Sequence, residues 1–305
     1  MIEQIFANST RFFLEDAIGS GSPSGNVVEP RLVAAAAGRN VAAWEARTTP
    51  FRVPSVRQPI HNYWNVRTSL ELSAELLETI LTEHMTLISS GVYRLDRESP
   101  SPTFCLQVET EDGDLIDFRG LAMSDLSIKI ANNQIGSVEI TWLALQRLTG
   151  NALDAIVEVT PAATPAAAVG PGDVAIALVD GSLAADTRSD VVTTFGADFF
   201  LTRPGLQITN FDPNGIPQGY NGSPWRITGS ISALWDSLAD SAASDRISGA
   251  AGLLIGADGA DLDLRFEEVS AYLDGETIKA DDFREARYLI EVFGDSSASL
   301  LELRT

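Results

Sequence analysis

Residues 63–72 have the sequence YWNVRTSLEL, in which apolar and polar side chains alternate. Residues 224–233, PWRITGSISA, repeat this alternation, and Trp225 stands where the first stretch has Trp64. A period of two residues is typical of a β-strand that buries one of its faces. The two stretches therefore predict a pair of equivalent strands, one in each half of the chain.

Two further similarities occur in the same order along the two halves. An Asp-x-Arg sequence follows an Asp-Gly dipeptide in residues 112–119 and again in residues 258–265. Near the end of each half, residues 138–144 and 286–292 share another alternating pattern. Self-similarity at ordered places indicates an internal duplication. Chance similarity between two acidic, β-rich domains is the alternative explanation.

A segment of small residues separates the two halves. Residues 159–172 contain three prolines, several alanines and no charged side chain. Such a composition favours an extended, semi-rigid linker. We therefore expect a first domain at residues 1–158 and a second, similar domain at residues 173–305, each of ordinary domain size.

The remaining pattern predicts mostly β-structure, with one helix in each half. Ser73 is a suitable N-cap for a helix over residues 73–85, and a weaker apolar stripe predicts a second helix over residues 235–243. Four dipeptides predict hairpin turns: Asp112-Gly113, Asn132-Asn133, Asp258-Gly259 and Asp274-Gly275. The predicted fold class is mainly β, with two similar β-sandwich or partial-barrel domains, each flanked by one α-helix.

The composition argues against several classes of function. The 305 residues include 42 Asp and Glu against 21 Lys and Arg, which gives a net charge of −21. A protein this acidic is a poor candidate for binding nucleic acid or anionic membranes. The N-terminal sequence lacks the basic and apolar regions of a signal peptide, and no apolar run is long enough to span a bilayer. We therefore expect a soluble protein of a reducing compartment.

Few residues are available for catalysis. Cys105 is the only cysteine, and His61 and His84 are the only histidines, so disulfides, cysteine zinc sites and a catalytic triad have little support. Cys105 is predicted to be a small buried hydrophobe, and His84 to lie in the last turn of the first helix, where a positive charge suits the helix dipole. We expect no catalytic residue, no cofactor and no metal site.

Three other features have both a chemical and a structural interpretation. The acidic stretches 109–114 and 258–263 lack the spacing of a calcium loop and are interpreted as solvated hairpins. Residues 19–25, GSGSPSG, lack the Lys-Ser/Thr of a P-loop and predict a flexible loop. Tryptophans with apolar neighbours at alternate positions are interpreted as core anchors instead of a sugar-stacking platform: Trp64, Trp142 and Trp225.

The order of these elements resembles that of the tail tube proteins of long-tailed bacteriophages. The similarity comprises an aromatic strand running into an amphipathic helix at 64–85, then a strand region at 117–130 and an alternating strand at 137–145. Weaker counterparts occur in the second half at 225–243, 261–273 and 283–294. The resemblance covers most of both halves and rests on pattern. It implies a structural, non-enzymatic protein of the two-domain, non-contractile type.

The resemblance also implies an assembly. Two-domain members of that family form trimeric rings with pseudo-sixfold symmetry, and the stacked rings join their inner sheets into a barrel through which the genome passes. The expected partners are other copies of this chain and tail proteins such as the tape measure, tail terminator and distal tail proteins. Viral DNA would pass without specific binding. The expected location is the virion tail, after synthesis in the host cytoplasm and without a membrane.

Alternation and loop length suggest residues for this assembly. Carboxylates that alternate with core positions are expected to line an acidic lumen that repels phosphate: Glu71, Glu109, Glu139, Asp263 and Glu291. The long loops 47–62 and 202–224 are expected to stack rings through apolar side chains: Phe51, Val53, Ile208 and Phe211.

Two other functions stay open at this point. The tube of a contractile or secretion apparatus shares the fold, although such tubes are usually built from single-domain subunits, so the duplication argues against it. A monomeric β-sandwich binding module would instead expose its aromatic side chains. A measurement of molecular mass separates the monomer from both tubes.

Overall fold

Alternating sequences like that of residues 63–72 form antiparallel strands throughout the structure, which is a computed structural model. The structure describes residues 2–5, 7–41, 62–96, 101–110, 112–131, 134–150, 164–211, 217–234, 246–256, 262–278, 284–293 and 299–305.

The described residues before 150 form eleven strands and one helix. The strands are β1 (Ile2–Ile5), β2 (Ala7–Glu15), β3 (Pro23–Glu29), β4 (Leu32–Val41), β5 (Asn62–Glu71), β6 (Thr86–Ser89), β7 (Val92–Leu95), β8 (Phe104–Thr110), β9 (Leu115–Ala131), β10 (Ser137–Ala144) and β11 (Gln146–Thr149). The helix is α1 (Ala74–His84).

The described residues from 164 onward form eleven more strands. They are β12 (Thr164–Pro165), β13 (Val174–Asp180), β14 (Val191–Val192), β15 (Thr194–Thr202), β16 (Gln207–Phe211), β17 (Pro217–Asn221), β18 (Arg226–Leu234), β19 (Arg246–Ile255), β20 (Leu262–Ile278), β21 (Arg284–Val292) and β22 (Leu301–Arg304). Short 3₁₀ turns lie at Pro171–Asp173 and Thr187–Asp190.

The two halves arrange their strands in the same order. In the first half the neighbours run β3-β2-β8-β9-β10-β5-β4. In the second half they run β14-β13-β19-β20-β21-β18-β15. All of these pairs are antiparallel, and β9 and β20 each contain 17 residues. The predicted mainly-β class is confirmed, and the described strands form no closed barrel.

One continuous sheet joins the two halves. The final residues of β9 pair with β15 over seven residue pairs, from Asp125 opposite Thr202 to Ala131 opposite Gly196. Since β9 also pairs with β10, the described strands contain a run of eight in the order β4-β5-β10-β9-β15-β18-β21-β20. We call this run the long sheet.

Aromatic side chains fill the core beneath the long sheet. The strands β3, β2 and β8 and the first residues of β9 form a second sheet, which we call the opposite sheet. Trp142 is 1% exposed, and its ring lies 5.6 Å from that of Phe12 on the opposite sheet. Trp225 is equally buried, so both are core anchors, as predicted. Trp64 is only half-buried, and the guanidinium of Arg147 lies 5.1 Å from its ring centroid.

The helix α1 forms where the sequence predicts it. The Ser73 hydroxyl accepts the backbone N–H of Leu76 at 3.2 Å, as an N-cap does. The predicted apolar stripe is buried: Leu76, Leu77, Ile80 and Leu81. The second predicted helix, at 235–243, lies outside the described residues. No helix in the described part of the chain combines the length and apolar character needed to cross a membrane.

His84 lies in the last turn of α1, but the expectation that it carries a charge there is wrong. Its ring is fully buried, stacks on Phe104 and meets the edge of Trp225 from the second half. Its Nδ1 lies 2.8 Å from the carbonyl oxygen of Ile80. Burial lowers the pKa of His84 to about 4, so the ring is neutral at neutral pH.

Only one of two testable turn predictions is correct. Asp112-Gly113 joins β8 to β9, with Gly113 at a φ of +83°. Asp274-Gly275 instead lies within β20, where the pairing with β21 shifts register between Leu273 and Gly275. It forms a bulge, which an Asp-Gly pair also permits. The dipeptides at 132–133 and 258–259 lie outside the described residues.

The described part of the expected linker packs against the first half. Thr164 and Pro165 form a short parallel pairing with β3. The N–H of Val169 donates to the carbonyl of Leu72 at 2.9 Å, and Val169 is buried. From residue 164 this segment is therefore held in place by backbone hydrogen bonds. The domain boundaries at 158 and 173 stay predictions.

We predict that acid weakens the contact between α1 and the second half through His84. Because its folded-state pKa lies below the ordinary value of 6.5, the stability that the neutral ring provides is complete above pH 6.5. That stability is lost as the pH falls from 6.5 towards 4, by about 3 kcal/mol in total. Urea unfolding of the wild type and of His84→Phe across this range measures the loss. The two pH profiles should differ in slope, and equal slopes would contradict the assignment.

Candidate functional site

The long sheet has one face against the core and one face directed away from it, which we call the outward face. On β10, Val138 and Ile140 are buried while Glu139 between them is exposed. On β21, Ile290 is buried and the adjacent Glu291 is exposed. Since successive side chains of a strand point to opposite faces, the alternation in the sequence builds the outward face.

Strand register places one residue of each strand in a single row across this face. The row runs Ala34, Ser69, Glu139, Ser127, Phe200, Thr228, Glu291 and Ser270. Glu139 and Glu291 therefore share a row, on strands that hold equivalent positions in the two halves. Most other members of the row are small or carry a hydroxyl group: Ala34, Ser69, Ser127, Thr228 and Ser270.

The outward face is only weakly acidic. Among the described residues its charged side chains are seven carboxylates and four basic groups: Glu71, Asp125, Glu139, Asp198, Asp274, Glu285, Glu291, Arg67, Lys129, Arg226 and Arg287. Glu139 is paired, since its Oε2 lies 2.7 Å from Nζ of Lys129. The charges of both signs are thus mixed over the face, with acidic groups in excess.

The predicted lumen residues do not all lie on the outward face. Glu71 does, and its carboxylate lies 3.1 Å from Arg31. Glu109 is exposed on β8, which belongs to the opposite sheet of the first half, and accepts the Ser9 hydroxyl. Asp263 is half-buried on β20, where it accepts the Thr187 hydroxyl at 2.8 Å. Burial raises the pKa of Asp263, and the bond from Thr187 opposes that rise.

The repeated Asp-x-Arg sequence has the same structural use in both halves. Arg119 on β9 donates to the carbonyl of Ser20, in the loop after β2. Arg265 on β20 donates to the carbonyls of Leu183 and Ala184, in the loop after β13. Since β2 and β13 hold equivalent places in the two strand orders, each arginine fixes the equivalent loop.

The glycine-rich loop after β2 closes on a carboxylate of the chain itself. Glu15 is 6% exposed and accepts the N–H groups of Gly19, Gly21 and Gly120, each at 3.0 Å. Burial raises the pKa of Glu15, and these bonds partly oppose the rise. The backbone donors that a phosphate would need are therefore occupied. The expectation of a flexible loop over 19–25 is wrong, because Glu15 orders residues 19–21 and β3 begins at Pro23.

The segment 202–224, expected to be an irregular loop, contains a two-stranded ribbon of β16 and β17. The hydroxyl of Tyr220 on β17 donates to the carbonyl of Gly120 in the first half, and burial raises the Tyr220 pKa well above 10. Of the predicted stacking residues, Ile208 is half-buried on β16 and Phe211 is the last residue of β16. Phe51 and Val53 lie outside the described residues.

A buried polar pair lies close to the Glu15 loop. Asp117 accepts the Cys105 thiol through Oδ1 at 2.8 Å and the Arg119 guanidinium through Oδ2 at 2.7 Å. Cys105 is buried, as predicted, and burial raises the pKa of its thiol. A protonated, enclosed thiol is a poor nucleophile. Among the described residues, no group of three or more His, Cys, Asp or Glu side chains is placed to hold a metal ion.

Sequence reasoning missed the pairings that involve short or distant strands. Neither the union of β9 with β15, nor that of β22 with β7, nor that of β1 with β4 has a local signal. The only trace is the alternation of buried residues in β15, which marks a strand without naming its partner.

The chain was compared with known proteins. A family model described as phage tail tube protein matches residues 2–291. No curated protein matches the chain. The matched residues include both halves and almost all of the long sheet.

We predict that the outward face contributes little to stability, unlike the buried Asp117–Arg119 pair. Lys129 and Glu139 are 40% and 51% exposed, so Glu139→Gln should change the free energy of unfolding by less than about 1 kcal/mol. Asp117→Asn should cost about 3–5 kcal/mol, since it removes the carboxylate charge that accepts the buried Arg119 guanidinium. Urea unfolding measures both. A large loss for Glu139→Gln would assign this face a structural role.

Proposed function

We propose, from the premise that this chain belongs to the phage tail tube protein family, that three copies close into a ring and that stacked rings form the tail tube. The family is structural, and its members assemble into the tube of the virion tail together with other tail proteins. The observation that carries the proposal is the family match over residues 2–291. The trimer, the stacking and the conduit for DNA are our inferences.

The repeated strand order supports a ring of quasi-equivalent domains. We infer that the chain is a duplicated pair of tube domains, since both halves use the same seven-strand order and the same arginine-to-loop bond. The pairing of β9 with β15 then represents one domain-to-domain contact of the ring. A head-to-tail contact that repeats with a suitable rotation generates a closed ring.

The dimensions of the long sheet suit a tube. Three chains with eight long-sheet strands each give a barrel of about 24 strands. At a spacing of ~4.8 Å and a tilt of ~40°, the backbone diameter is ~48 Å. Side chains narrow the bore from there, and the opening still admits duplex DNA. Closure also removes the unpaired strand edges, which are otherwise prone to aggregation.

We propose that the outward face is the wall of the lumen, with Glu139 and Glu291 exposed to passing DNA. Glu71 lies on the same face, but its side chain is only 14% exposed beside Arg31. The acidic excess repels phosphate, while the mixed charges and hydroxyl groups avoid strong attraction of either sign. Glu109 and Asp263 have weaker support as lumen residues, because the first lies on the opposite sheet and the second is engaged with Thr187.

Stacking of the rings is assigned to the two long segments before the tryptophan strands. The ribbon β16–β17 is a separate small sheet, anchored by Tyr220 to the first half and thus held at a fixed place on the subunit. Ile208 and Phe211 lie on it, and Phe51 and Val53 belong to the corresponding segment of the first half. The proposed partners besides further copies of this chain are the tape measure, tail terminator and distal tail proteins.

We predict that charge reversal in the lumen makes the tube retain DNA. Glu139→Lys with Glu291→Lys changes the charged groups of the outward face from seven acidic and four basic to five acidic and six basic. Tubes should still assemble, since both side chains are exposed, but they should bind duplex DNA at low salt and release it at high salt. Co-sedimentation of tubes with labelled DNA is the measurement.

The matched control carries the same charge change elsewhere. Asp112→Lys with Asp114→Lys alters two exposed carboxylates of the β8–β9 turn, away from the long sheet. This variant should leave the lumen unchanged. Equal DNA retention by both variants would show that the effect is non-specific attraction to a less acidic surface, and would remove the lumen assignment.

We also predict the stoichiometry of the ring. Native mass spectrometry of rings released from sheared tubes should give three chains per ring, since each chain supplies two tube domains. Rings of six chains would contradict the trimer and would favour a tube built in the manner of single-domain proteins. A protein that stays monomeric at high concentration would favour the binding module.

A further inference from the structure

The two ends of the long sheet differ in how their edges are covered. At one end, the outer edge of β4 is occupied by β1, in which Ile5 lies opposite Ala35 and Ile2 opposite Gly38. At the other end, β19 pairs with β20 only as far as Tyr272. Beyond it, residues 273–278 of β20 pair with β21 on one side, and no described strand occupies their other side.

The strand β1 lies on β4 in the way that β9 lies on β15. Both pairings are antiparallel, and β4 and β15 hold equivalent places in the strand orders of the two halves. In each pairing an isoleucine lies opposite a buried residue of the equivalent strand: Ile5 opposite Ala35, and Ile128 opposite Phe199. Both isoleucines are buried, at 5% and 1% exposure. The N-terminal strand thus occupies the position that a neighbouring domain occupies in the other half.

We propose that β1 is a removable cover for β4, and that the free end of β20 from a second copy of this chain replaces it when the ring closes. This inference rests on the proposed function. It adds which edges meet, in which register, and which segment must first be released. In this pairing we place Gly275 of one copy opposite Ala36 of the next, because both residues occupy outward-face positions, beside Arg287 and Arg67 respectively.

Competition for one edge controls when assembly begins. β1 is tethered to the same chain, so it meets β4 at a high effective concentration, whereas β20 of another copy meets it in proportion to protein concentration. The tethered strand is short, with four residue pairs against the seven of the β9–β15 contact. The covered edge therefore protects the monomer from premature pairing, and displacement needs concentrated protein or a preformed ring end.

The first experiment locks the cover in place. Gln4 lies opposite Ala36, and cross-strand neighbours are close enough for a disulfide. The variant Gln4→Cys with Ala36→Cys should form rings when reduced. When oxidised it should stay monomeric at concentrations where the reduced variant forms rings, and the concentration needed for rings should rise by at least roughly tenfold. The reason is that the edge of β4 stays covered by β1. Analytical ultracentrifugation with and without reductant measures this.

A matched lock on a neighbouring pair controls for oxidation itself. Ala34 lies opposite Ser69, on strands that stay paired whether or not β1 is released. Ala34→Cys with Ser69→Cys should therefore assemble equally well oxidised and reduced. The native Cys105 is buried and should not take part in either lock. Unhindered ring formation by the oxidised Gln4–Ala36 lock would overturn the proposal.

The second experiment reads the new pairing directly. Gly275→Cys places its side chain in open space, and Ala36→Cys is shared with the first lock. Rings of Ala36→Cys with Gly275→Cys should oxidise to covalent oligomers of up to three chains, visible on denaturing gels without reductant. A Gly25→Cys partner, on β3 and equally unobstructed, should give none.

The outcomes separate this inference from the proposed function. If the wild type forms tubes but the Ala36–Gly275 variant does not cross-link, the tube stands and the strand replacement is wrong. If neither the wild type nor the reduced lock forms rings at any concentration or on tail components, the proposed function itself fails.

Discussion

The structure depends on the backbone pairing capacity of one strand, β9. Its first residues pair with β8 and β11 in one sheet, and its last residues lie between β10 and β15 in the long sheet. The change of sheet occurs at Gly120, where φ is +62° and a Cβ would lie 2.6 Å from Leu145. Only glycine tolerates both conditions. The turn also aims the Gly120 N–H at Glu15 and its carbonyl at Tyr220.

Because the backbone groups at a strand edge need hydrogen-bond partners, this one strand connects parts of the chain that are otherwise separate. Its pairing with β15 joins the halves, and the same hydrogen bonds extend the sheet from four strands to eight. Among the described residues, no second core covers the outward face of this sheet. Solvent or a water-filled channel is the environment that such a face suits, and that is the physical link between the fold and a tube.

Local sequence determines where helices and strands form better than it determines which strands pair with each other. The alternation of residues 63–72 and the Ser73 cap predict β5 and α1, because period and capping act within a few residues. The strand β22 has only four residues, and its pairing with β7 lies about two hundred positions away in the chain. Nothing in four residues specifies that partner. The burial of His84 and the closure of the loop on Glu15 likewise depend on side chains brought from distant strands.

The candidate site shows the same limit. Alternation correctly indicates that Glu139 and Glu291 face away from the core, but it assigns no sheet, so Glu109 satisfies the same rule on the opposite sheet. Composition gives the net charge of the chain and not its distribution. Lys129, one of two lysines, lies 2.7 Å from Glu139, and four basic groups share the outward face.

The two halves share a strand order but not their connections, and this difference bears on symmetry. Between β5 and β8 the first half has α1 and the hairpin β6–β7, in 32 residues, whereas 11 residues join β18 to β19. The strand β7 pairs with β22 of the second half, so the β6–β7 hairpin contacts both halves of one chain. In the proposed ring, this feature would repeat once per chain and the long-sheet contact once per domain. Its inner wall can approach sixfold symmetry, because the same strand pairing repeats at every domain contact. Its outer surface keeps only the symmetry of the chains, because the connections differ in length between the two halves.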